Sequence, residues 1–278
     1  MKVFIQSNKY QLIAAKVSQF SFFKNGAEDV EIMQFENNNL LQSYIGLDYL
    51  RNSKINKYVN DLQSFTFLRF LAPELMNFKG YCLVVDPDVF ALRNIKALEN
   101  VIDDKHDIFC TFYNNTPRSE VMVVNCNTIN WNFADILEKV FSKTLDYKEL
   151  LNLQFPRKIK IKEVDIKYNE HDQFDDKTVF LHTTNRITQP WKYNLPIDFQ
   201  RYVSKKEILK NLFKKFIGLN YNKEILSNRY LKHKDPKVIS LIKNFFLEAL
   251  NKNFITEEDI NFAIKNNYIS KHFMNNEK

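Results

Sequence analysis

Glycine is scarce in this chain of 278 residues, which has Gly26, Gly46, Gly80 and Gly218 and no others. Dinucleotide loops of the G-x-G-x-x-G type and Walker-type phosphate loops both need several glycines close together. The wide spacing of these four glycines therefore excludes both kinds of loop. If the chain binds a nucleotide, it must hold the phosphates in another way.

Cysteine and long apolar runs are also lacking. Cys82, Cys110 and Cys126 lie in apolar segments without short paired spacing, so we expect buried free thiols rather than disulfides or a zinc site. No apolar run approaches the roughly 18 residues of a membrane span. Met1 leads directly into MKVFIQ, without the features of a signal peptide. These features predict a cytoplasmic protein.

The formal net charge of +7 is concentrated in one part of the chain. Residues 1–198 carry 24 Lys and Arg against 25 Asp and Glu, whereas residues 199–278 carry 16 against 8. The basic segment is interpreted either as solvated lysine-rich helix faces or as a surface that docks on an anionic membrane or an acidic glycan. Nucleic acid is not the partner that this distribution favours, because the remainder of the chain is nearly neutral.

Strand and helix patterns alternate through the first 182 residues. Apolar, β-branched segments predict strands at Val3–Gln6, Val30–Phe35, Tyr81–Val85, Asp107–Phe112, Val121–Asn125, Ile159–Val164 and Thr178–Leu181. Helical patterns occur at Gln11–Phe23, Leu62–Met76, Phe133–Phe141 and Asp146–Leu153. This alternation predicts an α/β domain with a mainly parallel central sheet.

The strand patterns stop near residue 200, and helix-start signals follow. Ser204 with Glu207 forms a capping-box pattern, Asp235-Pro236 combines an N-cap with proline at the first helical position, and Thr256 with Asp259 resembles another start. We therefore predict an α/β domain over 1–200 and a helical, lysine-rich extension over 201–278.

Two carboxylates follow the most apolar of the predicted strands. Asp86 and Asp88 come directly after Tyr81–Val85, in the sequence Asp-Pro-Asp. Carboxylates at that position are costly to bury unless something compensates them, and a divalent cation with a diphosphate would do so. They are also common turn and helix-cap residues. The D-x-D pattern alone does not decide between these interpretations.

The segment Phe67–Ile95 resembles the D-x-D region of GT-A glycosyltransferases, in particular glycosyltransferase family 8. In that family an arginine-bearing helix, a turn and a strand ending in Asp-x-Asp occur in this order. The resemblance implies a GT-A fold, in which Asp86 and Asp88 bind the metal. It also implies that Arg69 contacts the nucleotide-sugar donor and organises the site locally.

The start of the chain, VFIQSNKYQLIAAKVSQFSF, resembles the family's opening strand and nucleotide loop. This implies donor contacts from Gln6 and Ser7. Tyr10 falls where the family has an aromatic residue that stacks on uracil, and the alternative for Tyr10 is local packing at a helix start.

Two later segments extend the resemblance to about residue 200. SEVMVVNCNTINW resembles the strand after the metal site and would place Ser119 and Glu120 near the sugar. LHTTNRITQPWKY resembles the family's late H-x-x-G-x-x-K-P-W motif, which makes His182 the candidate third metal ligand. Two carboxylates with a histidine suit Mn²⁺ somewhat better than Mg²⁺.

The chain departs from the family pattern in two places. Asn185 and Gln189 stand where the late motif has glycine and a phosphate-contacting lysine, so Arg186 or Lys192 would have to supply the positive charge. The family's D-Q-D-x-x-N segment is matched best by residues 147–152, which keep only Glu149 and Asn152. Donor binding is therefore better supported than the acceptor side.

These resemblances imply a metal-dependent glycosyltransferase that moves a hexose from a UDP-sugar to a glycan, a lipid-linked glycan or another hydroxyl acceptor, with retention of configuration. Mn²⁺ or Mg²⁺ would be the cofactor. Glu120, Glu149 and Asp172 are candidates for a nucleophile or base, and a front-face route needs none. From their charge, residues 204–278 either form solvated lysine-rich helix faces or dock on the inner face of a membrane.

Two alternatives remain open at the level of the sequence. One is a binding protein on a degenerate GT-A scaffold, whose basic helices contact nucleic acid or an anionic membrane. The other is an inverting GT-A transferase with a carboxylate base.

Overall fold

The computed structural model describes residues 1–45, 49–51, 54–56, 64–154, 159–199 and 203–274. The chain divides into two compact units, Met1–His182 and Thr183–Lys278. The functional division at residue 200 stays a prediction.

All strands of the described residues lie in the first unit. They are β1 (Lys2–Ser7), β2 (Val30–Gln34), β3 (Tyr49–Arg51), β4 (Lys54–Asn56), β5 (Tyr81–Val85), β6 (Val89–Ala91), β7 (Ile108–Tyr113), β8 (Thr116–Asn125), β9 (Ile161–Glu163), β10 (Glu170–His171) and β11 (Phe180–His182). The α-helices of this unit are α1 (Leu12–Lys24), α2 (Asn39–Ile45), α3 (Ala72–Leu75), α4 (Phe133–Phe141) and α5 (Tyr147–Leu151).

Six strands form the central sheet in the order β2-β1-β5-β8-β7-β9. Strand β8 runs antiparallel to both of its neighbours, and every other adjacent pair is parallel. The predicted α/β architecture with a mainly parallel sheet is confirmed. Ile5 of β1 pairs with Val85 of β5, so both strands end at the same edge of the sheet.

A three-stranded sheet, in the order β10-β11-β6, brings a later part of the chain to this edge. Strand β11 pairs antiparallel with β6, and His182 lies opposite Val89. Strand β10 pairs parallel with β11, and His171 lies opposite His182. This register places His182 beside the Asp86-Pro87-Asp88 turn.

Apolar side chains cover both faces of the central sheet, as expected for buried parallel strands. Phe4 belongs to one buried cluster and its neighbours Val3 and Ile5 belong to the other, following the two-residue period of a strand. Helix α1 contributes to the Val3 cluster and helix α4 to the Phe4 cluster. The cysteines Cys82, Cys110 and Cys126 are buried free thiols, as predicted.

Three predicted elements differ from the structure, one of them β8, which begins at Thr116, five residues before the predicted Val121. The helix predicted over Leu62–Met76 starts outside the described residues, and its described part is a 3₁₀-helix at Ser64–Phe70 followed by the short helix α3. Pro73 lies in the first turn of α3, where its missing N–H is tolerated; within one continuous helix it would interrupt the hydrogen bonds. The last predicted strand is shifted, so His182 ends β11 instead of following it.

The second unit is helical within its described residues. Its helices are α6 (Lys205–Phe216), α7 (Lys223–Leu226), α8 (Pro236–Asn251), α9 (Glu257–Lys265) and α10 (Lys271–Met274). Capping boxes at Ser204 and Thr256, and the N-cap at Asp235, confirm the three predicted helix starts. In the part of the chain that the structure describes, no helix has both the length and the apolar character needed to cross a bilayer.

Candidate metal centre

Three potential metal ligands converge at the carboxyl end of β5. Asp86, Asp88 and His182 each offer one ligand atom, and these atoms lie within 4.8 Å of one another. The Nε2 atom of His182 lies 3.4 Å from Oδ1 of Asp88 and 4.0 Å from Oδ2 of Asp86. Asp88 and His182 are buried. The sequence predicted these three ligands, and the pairing of β6 with β11 brings them together.

A buried asparagine orients the histidine. The Nδ1 atom of His182 lies 2.9 Å from Oδ1 of Asn169, and Nδ2 of Asn169 donates to Oγ1 of Thr111 at 3.2 Å. Because the amide NH₂ is used by Thr111, the amide oxygen faces the imidazole, and Nδ1 donates the proton of that contact. Nε2 is then directed at the two carboxylates, and its lone pair would be available to a metal ion held between them.

Arg69 and Gln6 hold Asp86 from two other elements. Nη2 of Arg69 donates to both carboxylate oxygens of Asp86, at 2.6 and 2.7 Å, and Nη1 donates to Oγ of Ser119 at 2.9 Å. Ser119 donates in turn to the carbonyl of Leu151 at 2.7 Å. Nε2 of Gln6 also donates to Oδ1 of Asp86. The guanidinium therefore fixes the orientation of Asp86, in keeping with the organising role expected for Arg69.

Two buried polar atoms next to Asp86 have no hydrogen-bond partner among the described residues. They are Nε of Arg69 and Oε1 of Gln6. Leaving a buried polar atom unpaired costs about 1–3 kcal/mol, so native structures seldom do so without a reason such as a bound ligand or water. These atoms mark this edge of the sheet as a place where a polar ligand would restore hydrogen bonds.

Glu120 belongs to the same charge cluster. Its backbone carbonyl accepts from the N–H of Asp86 at 3.0 Å, and its Oε1 accepts from Nε of Arg118 at 2.7 Å. Burial raises the pKa of Glu120, but Arg69 and Arg118 outweigh that effect, so the pKa lies below its ordinary value. Glu120 is therefore ionised at neutral pH.

The cluster carries an excess of negative charge. Burial raises the pKa of Asp86 more than Arg69 lowers it. Burial also lowers the pKa of His182, but the attraction of Asp88 and Asp86 outweighs this, and the pKa is raised. The raised pKa of His182 indicates that the two carboxylates attract a positive charge. Two carboxylate oxygens and one imidazole nitrogen form a donor set that fits Mn²⁺, and Mg²⁺ less well.

The other residues predicted in the first unit have different surroundings. Ser7 is buried, and its hydroxyl donates to the carbonyl of Asn8 at 3.2 Å. Tyr10 is half-buried, with Nζ of Lys9 at 5.0 Å from its ring centroid. The N–H of Asp172 donates to the carbonyl of His182 at 2.9 Å, so its backbone adjoins the cluster. Glu149 is exposed in the first turn of α5.

Arg186 and Lys192 belong to the second unit. The guanidinium of Arg186 lies 4.1 Å from the ring centroid of Phe199, and both residues line a cavity of about 260 Å³. Lys192 is fully buried, with Nζ at 2.7 Å from Oδ2 of Asp198 and 3.5 Å from the hydroxyl of Tyr230. Their contribution to donor binding stays a prediction.

Sequence reasoning missed Asn169 and Arg118. Asn169 lies in no motif, and its role depends on a pairing of distant strands that no local pattern reveals. Arg118 lies two residues before Glu120 on β8, and side chains two apart share one face of a strand, so their ion pair could have been inferred once β8 was predicted to begin that early.

Comparisons with known proteins give partial similarities. No protein-family model matches the chain. A stretch of 117 residues, 42% of the chain, is 29% identical to "Protein CDI" of Arabidopsis thaliana and spans 42% of that protein's length.

Solved structures similar to this one include three described as glycosyltransferases. Galactosyltransferase LgtC in complex with donor and acceptor sugar analogues has a TM-score of 0.48 and 10% identity, over 69% of this chain and 89% of that one. The bifunctional glycosyltransferase WbbM has a TM-score of 0.48 and 12% identity, over 69% of this chain and 46% of that one. Glycosyltransferase GlyE of Streptococcus pneumoniae TIGR4 has a TM-score of 0.47 and 12% identity, over 91% of this chain and 64% of that one. The assignment of the metal centre depends on its own geometry.

Proposed function

We propose that this protein is a metal-dependent glycosyltransferase that moves a hexose from a UDP-sugar to a hydroxyl acceptor. The observation that carries the proposal is the convergence of Asp86, Asp88 and His182 within 4.8 Å at the carboxyl end of β5. Ligands of open α/β sheets bind at this edge. The resemblance of four ordered sequence segments to glycosyltransferase family 8 supports the same conclusion.

The contacts of these residues support the following proposed roles. Asp86, Asp88 and His182 would hold Mn²⁺ or Mg²⁺, which when bound stabilises the negative charge of a departing diphosphate. Arg69 keeps Asp86 in position through its two hydrogen bonds and adds positive charge beside it. Asn169 keeps Nε2 of His182 directed at the carboxylates.

Donor recognition is assigned to residues near the start of the chain and in the second unit. Gln6 adjoins Asp86 at the end of β1, and Ser7 and Tyr10 follow it. Tyr10 would stack on the uracil base through its half-buried ring. Arg186 or Lys192 is proposed to add a phosphate contact from the second unit, and the ion pair of Lys192 with Asp198 favours Arg186 for this role.

The stereochemical course is proposed to be retaining. Among the carboxylates named for this step, Glu120 is buried, ionised and part of the charge cluster, whereas Glu149 is exposed. Asp172 adjoins the cluster through its backbone. These positions favour Glu120 as the group that stabilises positive charge developing on the donor sugar, and a front-face reaction needs no protein nucleophile.

The acceptor is proposed to be a glycan, free or lipid-linked, and the protein to work in the cytoplasm. Association of residues 204–278 with the inner face of a membrane would bring a lipid-linked acceptor within reach. The net charge of those residues supports this placement.

The decisive experiment is a thermal-shift panel of nucleotide-sugars with and without Mn²⁺, followed by determination of the anomeric configuration of the product. We expect stabilisation by a UDP-sugar only when the metal is present. The double variant Asp86→Asn with Asp88→Asn should lose it. The matched control, Glu99→Gln with Glu138→Gln, removes the same charge from exposed positions and should keep it.

Other outcomes would change the proposal. Donor stabilisation that survives the Asp86 and Asp88 substitutions would refute the metal assignment. Absence of any metal-dependent nucleotide-sugar binding would favour a non-catalytic scaffold, and an inverted product would favour a carboxylate base.

A further inference from the structure

Helix α6 of the second unit turns all of its apolar side chains except the half-buried Ile208 towards solvent. Phe216 is 89% exposed, Leu209 is 66% exposed and Phe213 is 63% exposed. The buried residue of this helix is the polar Asn211. A surface helix normally buries its apolar stripe and exposes its polar face. In α6 this arrangement is reversed.

The exposed apolar residues form one continuous stripe. Leu209, Leu212, Phe213 and Phe216 have the spacing i, i+3, i+4 and i+7, which places them on one face of a helix. Beyond the helix, Ile217 and Leu219 are also exposed. They flank Gly218, whose φ of +72° turns the chain at the end of α6.

The opposite, polar face of the helix attaches it to its own unit. Oδ1 of Asn211 accepts from the N–H of Asn222 at 2.8 Å, and Nδ2 of Asn211 donates to the carbonyl of Glu207 at 2.9 Å. Asn222 is the N-cap residue of α7. The bond to Asn222, together with the half-buried Ile208, defines the face of α6 that packs on its own unit, and the apolar stripe lies on the other side.

Lysines accompany the apolar stripe. The helix contains Lys205, Lys206, Lys210, Lys214 and Lys215 against one acidic residue, Glu207. Glu207 is already used in the capping box with Ser204, through the backbone and side-chain contacts of that motif. An apolar stripe bordered by lysines is the pattern of a helix that lies in the interface of an anionic bilayer. Lysine side chains are long enough to reach headgroups while their stems cover apolar surface.

We propose that α6 is an interfacial anchor that binds an anionic lipid surface. Its apolar stripe would enter the boundary between headgroups and acyl chains, and the exposed lysines Lys205, Lys206 and Lys210 would contact the lipid phosphates. This inference is independent of the transferase chemistry, and it narrows the membrane association proposed for residues 204–278 to one helix of 12 residues.

The charges argue for lipid over a second copy of the chain. A two-fold interface places the same patch of both copies face to face. Five lysines and one glutamate from each copy would then meet the same set, so like charges would oppose the pairing. An anionic lipid surface offers the opposite charge along the whole helix.

The test measures binding of the full chain to phosphatidylcholine vesicles with and without phosphatidylglycerol. We expect binding to the anionic vesicles that weakens as salt is added. The triple variant Leu209→Ser, Phe213→Ser, Phe216→Ser should bind at least about tenfold more weakly, because the apolar area that enters the interface is lost. The matched control is Leu247→Ser with Phe262→Ser, two exposed apolar residues on α8 and α9, and it should bind like the unmodified chain.

A charge variant separates the electrostatic contribution to vesicle binding from the contribution of the apolar stripe. The triple variant Lys205→Gln, Lys206→Gln, Lys210→Gln should lose about fivefold in affinity for each lysine at low salt, and only on anionic vesicles. Equal binding of this variant and the unmodified chain would overturn the anchor, since the lysines would then contact no lipid.

Three further outcomes would also overturn the anchor. The first is no binding to either kind of vesicle, and the second is an equal loss of binding in the Leu247 and Phe262 control. The third is a molar mass, measured by sedimentation without lipid, that is lower in the triple variant at Leu209, Phe213 and Phe216 than in the unmodified chain. The last would identify α6 as a self-association surface. Metal-dependent UDP-sugar binding, followed by thermal shift, should be unchanged in all α6 variants and reports that they are folded. Loss of vesicle binding alone refutes the anchor, and absence of donor binding alone refutes the proposed transferase.

Discussion

Two groups of charged side chains, one in each unit, differ in how their charges are compensated. Around Asp86 in the first unit, the carboxylates of Asp86, Asp88 and Glu120 are accompanied by the guanidinium groups of Arg69 and Arg118. In the second unit, the ammonium of Lys192 meets the carboxylate of Asp198 at 2.7 Å, and the hydroxyl of Tyr230 donates to that carboxylate at 2.5 Å.

The difference lies in the balance of charge. Lys192 is paired directly with the Asp198 carboxylate, so its charge is compensated without a ligand even though the guanidinium of Arg186 is also nearby. Burial lowers the pKa of Lys192, and Asp198 opposes that change. The Asp86 group has more carboxylates than guanidinium groups, and buried charges need compensation. An acidic excess at a sheet edge is therefore a stronger sign of a cation site than a buried charge by itself.

The largest expected effect on activity comes from removing the negative charges of Asp86 and Asp88. The double variant Asp86→Asn with Asp88→Asn should lower kcat/KM for sugar transfer on the order of 10³-fold, because the charge that holds the cation is lost. Addition of EDTA to the unmodified protein should have a similar effect. The double variant also removes the charge with which the buried Arg69 is paired, so the free energy of unfolding in urea should fall as well. Asp88→Asn alone leaves the ion pair of Arg69 with Asp86 in place, and full transfer activity of that single variant would contradict the metal assignment.

The second expected effect concerns the orientation of His182. Asn169→Ala should weaken Mn²⁺ binding about 10- to 100-fold, because Nδ1 loses its partner and the imidazole is no longer held. Asn169→Asp keeps an acceptor oxygen and should restore most of the affinity. Thr111→Val removes only the partner of Asn169 and should have a smaller effect. Electron paramagnetic resonance of free Mn²⁺ measures all three. Equal affinity of the Asn169→Ala variant and the unmodified protein would contradict the orienting role.

The third prediction tests whether Lys192 and Asp198 form an ion pair that needs no ligand. Lys192→Met keeps the length of the side chain and should lower the free energy of unfolding by about 2 kcal/mol, since Asp198 loses its partner. The loss is moderate because the Asp198 side chain is 29% exposed and can be rehydrated. Lys206→Met, at an exposed position, should change stability by less than about 0.5 kcal/mol. If the KM for the donor rose while the free energy of unfolding stayed the same, Lys192 would instead be a phosphate contact. The difference in charge compensation between the two groups would then not hold.

The smallest expected effect is that of Tyr230→Phe. It removes the hydroxyl that donates to Asp198 and should cost about 1 kcal/mol of unfolding free energy, with no change in Mn²⁺ affinity. Urea denaturation and the Mn²⁺ titration together check both parts. A change in Mn²⁺ affinity would show that the two groups of charges are coupled.

Local patterns predicted most of the elements. The helix Phe133–Phe141 has the bounds that its apolar periodicity indicated, and the helix starts at Ser204, Asp235 and Thr256 follow from capping residues in the sequence. The prediction was wrong for the described part of Leu62–Met76. There buried apolar side chains occur all around the turn and Pro73 interrupts the hydrogen bonds, so periodicity could not distinguish a 3₁₀-helix from an α-helix.

The candidate site was predictable only in part. Asp86, Asp88 and His182 stand in recognisable motifs, and their grouping was inferred from resemblance. Asn169 has no such signal, because its role arises from contacts with Thr111 and His182 far away in the chain.

The sequence by itself determined the α/β alternation, the caps of the later helices and the residue types available to hold a divalent cation, since these depend on neighbours along the chain. The tertiary structure decided which charges are compensated. Only the pairing of β6 with β11 brings His182 to Asp88, only the packing of the second unit matches Lys192 with Asp198, and only the attachment through Asn211 leaves the apolar face of α6 in solvent. The first of these contacts joins distant parts of the chain and the other two cross loops between elements, and their free energies depend on distance and burial, which the periodicity of a single helix or strand does not encode.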